Sequence, residues 1–138
     1  MNKDYIMYAS RLDKLEDLII SASNLIPILD PGHKYILSEL ANYKEELTVV
    51  SERYQFIINE LKNGDVPEVV VEEHERLIEG ITSFVRGATL IKDSMNVEER
   101  SILCKQCAQG DSILAIGVKQ VEKATKEIGD KLVELIQK

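Results

Sequence analysis

An all-α fold, an up-down-up-down antiparallel four-helix bundle, is what this sequence predicts. Three features carry the expectation. Apolar residues recur in alternating steps of three and four along four long segments. The breaks between segments hold all 3 Pro of the chain, together with Gly, Asp and Asn residues suited to turns and caps. Nowhere does the period-two alternation of a half-buried strand appear. At 138 residues the chain is long enough to bury a core of its own, and residues 1–138 read as a single domain.

The first helix is expected over residues 4–27. Its seam is Tyr5, Tyr8, Leu12, Leu15, Ile19, Ala22, Ile26 and Leu29, and Pro27, with no N–H to donate, ends or kinks the helix near Ile26. The second is expected over 31–63, with Asp30 as N-cap and Pro31 at the first helical position. Its seam is Ile36, Leu40, Tyr43, Leu47, Val50, Tyr54, Ile57 and Leu61, and Gly64 is placed to end it in the left-handed region. The third, over 66–94, follows an Asp65/Glu68 capping box and carries Val70, His74, Leu77, Ile81, Phe84, Ala88, Ile91 and Met95.

The fourth helix is expected over 97–137, starting from Asn96 with Glu99 three residues on. Its seam runs Leu103, Cys107, Gly110, Leu114, Gly117, Val121, Ala124, Ile128, Leu132 and Leu135, with Gly110 and Gly129 as points where it can break. Small residues form two stripes at steps of seven: Gly80, Gly87 and Ser94 on the third helix, and Gly110, Gly117 and Ala124 on the fourth. Seven residues are two helical turns, so each stripe faces one way and the two are shaped to mesh. With a tight turn between the helices, Gly80 faces the neighbourhood of Gly110, and Gly87 faces Cys104.

Charge and composition narrow the function. Lys plus Arg is 17 and Asp plus Glu is 24, a net charge of -7, which repels phosphate backbones and argues against nucleic acid as a partner. No stretch has the roughly 20 apolar residues of a membrane span, and no signal-peptide core opens the chain, so no membrane role and a cytoplasmic location are expected. No glycine-rich phosphate loop, nucleophile elbow or HExxH is present, and no cofactor is expected.

Three groups of residues invite chemistry. Cys104-x-x-Cys107 is half a zinc site or a dithiol by spacing. The 2 His, His33 and His74, lie at different depths of the bundle and cannot both reach one metal, so no metal site is expected. In a continuous helix residues three apart share a face without bridging easily, and the pair reads as small core thiols. The run Glu72-Glu73-His74-Glu75 would suit a metal-dependent all-α nucleotide hydrolase only with a facing acidic set, which is missing. A solvated first turn favourable to the helix dipole explains it more simply.

The third group is a layer. A rise of about 1.5 Å per residue puts His74, Tyr54, Tyr8 and Gly117 at one depth, a polar pocket for a small ligand if Gly117 leaves a gap. Helix lengths add a surface. The fourth helix overshoots the third by roughly 12 residues, or ~18 Å, exposing Ile128, Leu132, Val133, Leu135 and Ile136 to a homodimer partner or a helical protein partner. The function expected first is therefore a non-catalytic interaction protein (adaptor, regulatory or structural) acting by association. A ligand-binding bundle is the alternative, and a hydrolase a remote third.

Overall fold

A computed structural model of the chain describes residues 2–30 and 33–137. The fold is all-α. Four helices pack against one another: α1 (Asn2–Ser23), α2 (Leu37–Asn63), α3 (Val71–Asp93) and α4 (Cys104–Gln137). A minimal antiparallel pair, β1 (Met95–Asn96) and β2 (Ser101–Ile102), lies between α3 and α4. Contacts between consecutive helices run in opposite senses. Ser23 meets Tyr54 while Arg11 meets Asp65, just beyond α2; His74 meets Leu61 while Phe84 meets Tyr54; Gly80 meets Gly117 while Gly87 meets Gly110.

The seams hold. Every expected seam residue of α3 is buried, and so are Tyr8 to Ala22 on α1 and Leu40, Leu47, Val50, Tyr54, Ile57 and Leu61 on α2. α4 runs unbroken through Gly110 and Gly129 and buries Cys107, Gly110, Gly117, Ala124, Ile128 and Leu132. The connections depart from expectation, and each departure has a local cause.

α1 stops at Ser23, short of Pro27. The next amides already bond back by only three residues, Leu25 to Ala22 and Ile26 to Ser23, a tightening that the residue before a proline favours. α2 starts at Leu37 rather than 31. Tyr35 clamps the approach: its hydroxyl accepts from the Asp30 N–H at 2.7 Å and donates to the Asp30 carbonyl at 2.9 Å. The Glu39 carboxylate then accepts from the Ile36 N–H at 3.2 Å, capping α2 from inside its own first turn. Asp30 is thus no N-cap. The place foreseen for Pro31, like Gly32, lies outside the described residues.

Gly64 is not left-handed. Its φ of -89° and ψ of 160° are extended, so the backbone there does not call for a glycine, and a Cβ would meet only the movable guanidinium end of Arg11. Arg11 donates to the Asp65 carbonyl; Asp65 opens no capping box, because the helical turns that follow have Pro67 and Val70 at their N-caps and no side-chain cap. Instead Pro67 starts a 3₁₀ turn, Glu68–Val70, which tucks Val70 into the core before α3 begins at Val71.

The largest departure comes after α3. Asn96 Oδ1 does accept the Glu99 N–H, at 3.0 Å, but this closes a turn instead of starting a helix. Arg100 sits in the left-handed region at φ 52°, and the chain returns as β2. The Leu103 N–H reaches the Ser94 carbonyl at 2.7 Å, and Gln106 Nε2 caps the Leu90 carbonyl at 3.1 Å. α4 therefore begins at Cys104, seven residues later than the sequence suggests.

That delay resets the register by one full step of the glycine stripes. Gly87 and Gly110 face each other, each six residues in from Asp93 and Cys104. Gly80 and Gly117 face each other thirteen residues in. A Cβ on Gly110 would lie 2.8 Å from the Gly87 carbonyl, and one on Gly87 the same distance from the Gly110 carbonyl. The stripes do mesh, with pairings different from those expected.

Candidate functional site

The layer around His74 is where the sequence places a pocket. The ring is buried between α1 and α2. Its Nε2 lies 2.8 Å from the Leu61 carbonyl, which can only accept, so Nε2 carries the hydrogen. Nδ1 is then the acceptor for the Tyr8 hydroxyl at 2.7 Å. Burial holds the imidazole below its ordinary pKa of 6.5, in keeping with a neutral ring. Burial also pushes the Tyr8 hydroxyl up to about 12, against the pull of Arg11, whose guanidinium stacks 5.6 Å from the Tyr8 ring centre. Both ring nitrogens and the hydroxyl are committed to protein partners.

Tyr54 and Gly117 belong to a different level. Tyr54 packs on Phe84 with ring centres 5.1 Å apart and shares a 2.6 Å hydrogen bond with Ser23. Phe84 is ten residues beyond His74 on α3, about 15 Å along the axis. A Cβ on Gly117 would lie 2.8 Å from two Phe84 ring atoms and 2.9 Å from the Gly80 carbonyl. The Phe84 ring fills the space that the sequence reading gives to a ligand. The structure thus brings Tyr8 to His74 and places Tyr54 and Gly117 elsewhere, because the register shift moves Gly117 with α4.

The C-terminal stripe is also divided. α4 has 34 residues and α3 has 23, so the overshoot of 11 residues is real. Yet Ile128 and Leu132 are buried within the chain, and α1 and the 3₁₀ turn pack against α4. Leu135 and Ile136 are half-buried, and Val133 is exposed. The stretch before α3, expected as the start of a helix, packs against α4 here and covers part of this end, with Lys131 reaching the Val69 carbonyl.

The acidic run is not a solvated turn throughout. Glu73 is only 2% exposed and takes Lys131 Nζ, with the second carboxylate oxygen at 3.2 Å. This hydrogen bond holds the carboxyl below its usual pKa although burial pushes the other way. Lys131 also donates to the Val69 carbonyl at 3.3 Å. Glu73 is therefore a tie between α3 and α4. Among the described residues no group of three or more His, Cys, Asp or Glu is arranged to hold a metal ion.

What sequence reasoning missed is a groove between α1 and α4 of about 430 Å³. Ile19, Ile20, Phe84, Val118 and Val121 line it, with Glu16 and Glu122 at its edge. Ile20 is 59% and Val118 43% exposed. Both lie off the three/four seams, so periodicity counts them as solvent-facing. The signal available was their type: β-branched apolar residues at positions where a solvated helix needs none. Burial holds the Glu16 carboxyl above its usual pKa, with the charges of Asp13 and Asp17 adding to the effect.

A second cleft, about 200 Å³, lies where the α1–α2 connection meets the start of α4. Tyr35, His33, Arg100, Asp111 and both cysteines line it. Cys104 is the first residue of α4 and exposed, whereas Cys107 is buried. Comparison with protein-family models, with curated proteins and with solved structures gives no match for this chain.

Proposed function

We propose that the chain is a non-catalytic interaction protein, a helical bundle working through self-association or a partner helix. One observation carries the reading: the apolar groove between α1 and α4, with Ile20 and Val118 exposed along it. Its walls are two helices, which suits the apolar face of a third helix laid along them. Glu16 and Glu122 at the edge favour an occupant with Lys or Arg flanking that face. The ligand-pocket reading has no comparable support, since Phe84 occupies the space beside Gly117 and His74 has protein partners on both nitrogens. The hydrolase reading loses Glu73 to Lys131. No helix among the described residues is long and apolar enough to cross a membrane, and association in the cytoplasm is the setting we propose.

The test combines light scattering of the purified chain with capture of proteins from its native cell, each repeated with Val118→Glu. A dimer that becomes a monomer in the variant supports self-association through the groove. A monomer with a bound partner that Val118→Glu releases supports the partner helix. Oligomeric state and bound proteins that are both indifferent to Val118→Glu overturn the reading.

A further inference from the structure

Cys104 Sγ, at the start of α4, donates to the Ile102 carbonyl at 3.7 Å. Cys107 is 9% exposed, while Cys104 is open to solvent at the mouth of the cleft. In a continuous helix this pair would be inert, but here the helix begins at its first cysteine. Residues three apart in a first turn have Cα atoms about 5 Å apart, inside the range of a disulfide, while their Cβ atoms are about 1 Å too far. Closing that gap requires Cys104 to move. As the first helical residue it has no intrahelical N–H bond to break. Its neighbour Leu103 is held, with its N–H on the Ser94 carbonyl and its own carbonyl accepting the Cys107 N–H, so the movement falls to Cys104 itself.

We propose that Cys104 and Cys107 form a reversible redox dithiol that exchanges with low-molecular-weight disulfides, Cys104 as the attacking and Cys107 as the resolving sulfur. The Cys104 thiolate attacks one sulfur of a small disulfide RSSR. A Cys104–SR bond forms, the S–S bond of RSSR breaks, and RS⁻ leaves and takes up a proton. Cys107 then gives up its proton to solvent and attacks Cys104 Sγ, expelling the second RS⁻, which is protonated in turn. The dithiol is oxidised by two electrons and RSSR is reduced to two RSH. The order follows from access: only Cys104 is exposed, and burial together with the Asp111 charge holds the Cys107 thiol above its usual pKa. The cleft beside both sulfurs leaves room for the departing thiol.

The experiment equilibrates the full chain with oxidised glutathione, quenches with acid, and maps the cysteines by mass spectrometry. The wild type is expected to gain a Cys104–Cys107 bond that reduced glutathione reverses. In Cys107→Ser the reaction should stop at the mixed disulfide on Cys104. In Cys104→Ser, Cys107 should react more slowly than Cys104 does in Cys107→Ser, by about tenfold or more. A wild type that stays a dithiol, accumulates the mixed disulfide, or links two chains overturns the proposal. So does equal reactivity of the two single variants. The wild-type measurement stands by itself should a variant fail to fold.

Discussion

Lys131 Nζ meets the carboxylate of Glu73 across the α3–α4 interface, with Glu73 almost wholly enclosed and Lys131 half exposed. Removing the lysine leaves a carboxylate without its counter-charge. For a wholly buried pair that costs roughly 3–5 kcal/mol. Water reaches Lys131, so Lys131→Met is expected to cost about 2 kcal/mol in urea unfolding. Adding Glu73→Gln should recover part of the loss, which a double-mutant cycle measures. The sign of the pH effect follows from the depressed carboxyl. Its folded pKa lies below the unfolded value of about 4.5, so the contribution is whole above that value and is lost as pH falls through the folded one. Lys131→Met should therefore begin acid unfolding at a higher pH than the wild type.

Tyr8 donates to a histidine whose other nitrogen is already spent on Leu61. Tyr8→Phe leaves Nδ1 buried without a donor, an expected loss of about 1–2 kcal/mol. His74 resists protonation because of burial, so its folded pKa is below 6.5. The unfolded chain takes the proton first. This contribution to stability is full above the unfolded pKa of about 6.5 and falls away as pH drops through that value towards the lower folded one. Unfolding free energies measured across that window should decline in the wild type. They should decline less in His74→Gln, which carries no titrating ring at that position.

Gly110 and Gly129 lie on the same helix and should respond in opposite directions to the same change. A Cβ on Gly110 would strike Ile91 at 2.6 Å and the Gly87 backbone at 2.8 Å, while one on Gly129 meets nothing within 4 Å. Gly110→Ala is expected to destabilise by about 1–3 kcal/mol through overpacking against backbone. Gly129→Ala should stabilise by about 0.5–1 kcal/mol, since it removes only the helix penalty of glycine. Denaturant midpoints of the two variants decide it; a gain at Gly110 would show that α3 and α4 separate easily.

The seams were legible because burial on a helix leaves a period, and His74 with Tyr8 could be matched by depth. The glycine partners were not. Asn96 and Glu99 have the spacing of a helix start, and the same side-chain-to-amide bond also closes a turn. Local sequence does not separate the two outcomes; the packing of Ser94 and Gln106 against the end of α3 does. That one misplaced start moves every α4 residue by two turns, carrying Gly117 away from His74 and putting Cys104 at a helix terminus. Glu73 was hidden for another reason. Its partner lies 58 residues away, and a run of acids looks the same whether or not a lysine arrives from another helix.

The C-terminal turns of α4 offer a last test, because the sequence marks them as a surface and the structure places much of them inside. A chain ending at Lys126 would lose Ile128 and Leu132, both buried, and Lys131 with them. Two such side chains contribute about 2–3 kcal/mol each to a core, and Glu73 would be left without its cation. The sum is comparable to the roughly 5–15 kcal/mol that holds a domain together. That truncation should give an unfolded or barely cooperative chain by circular dichroism and thermal melting. Val133→Lys, on the exposed side of the same turns, should stay within about 0.5 kcal/mol of the wild type. A truncated chain that melts like the intact one would mean that the end of α4 is not part of the core.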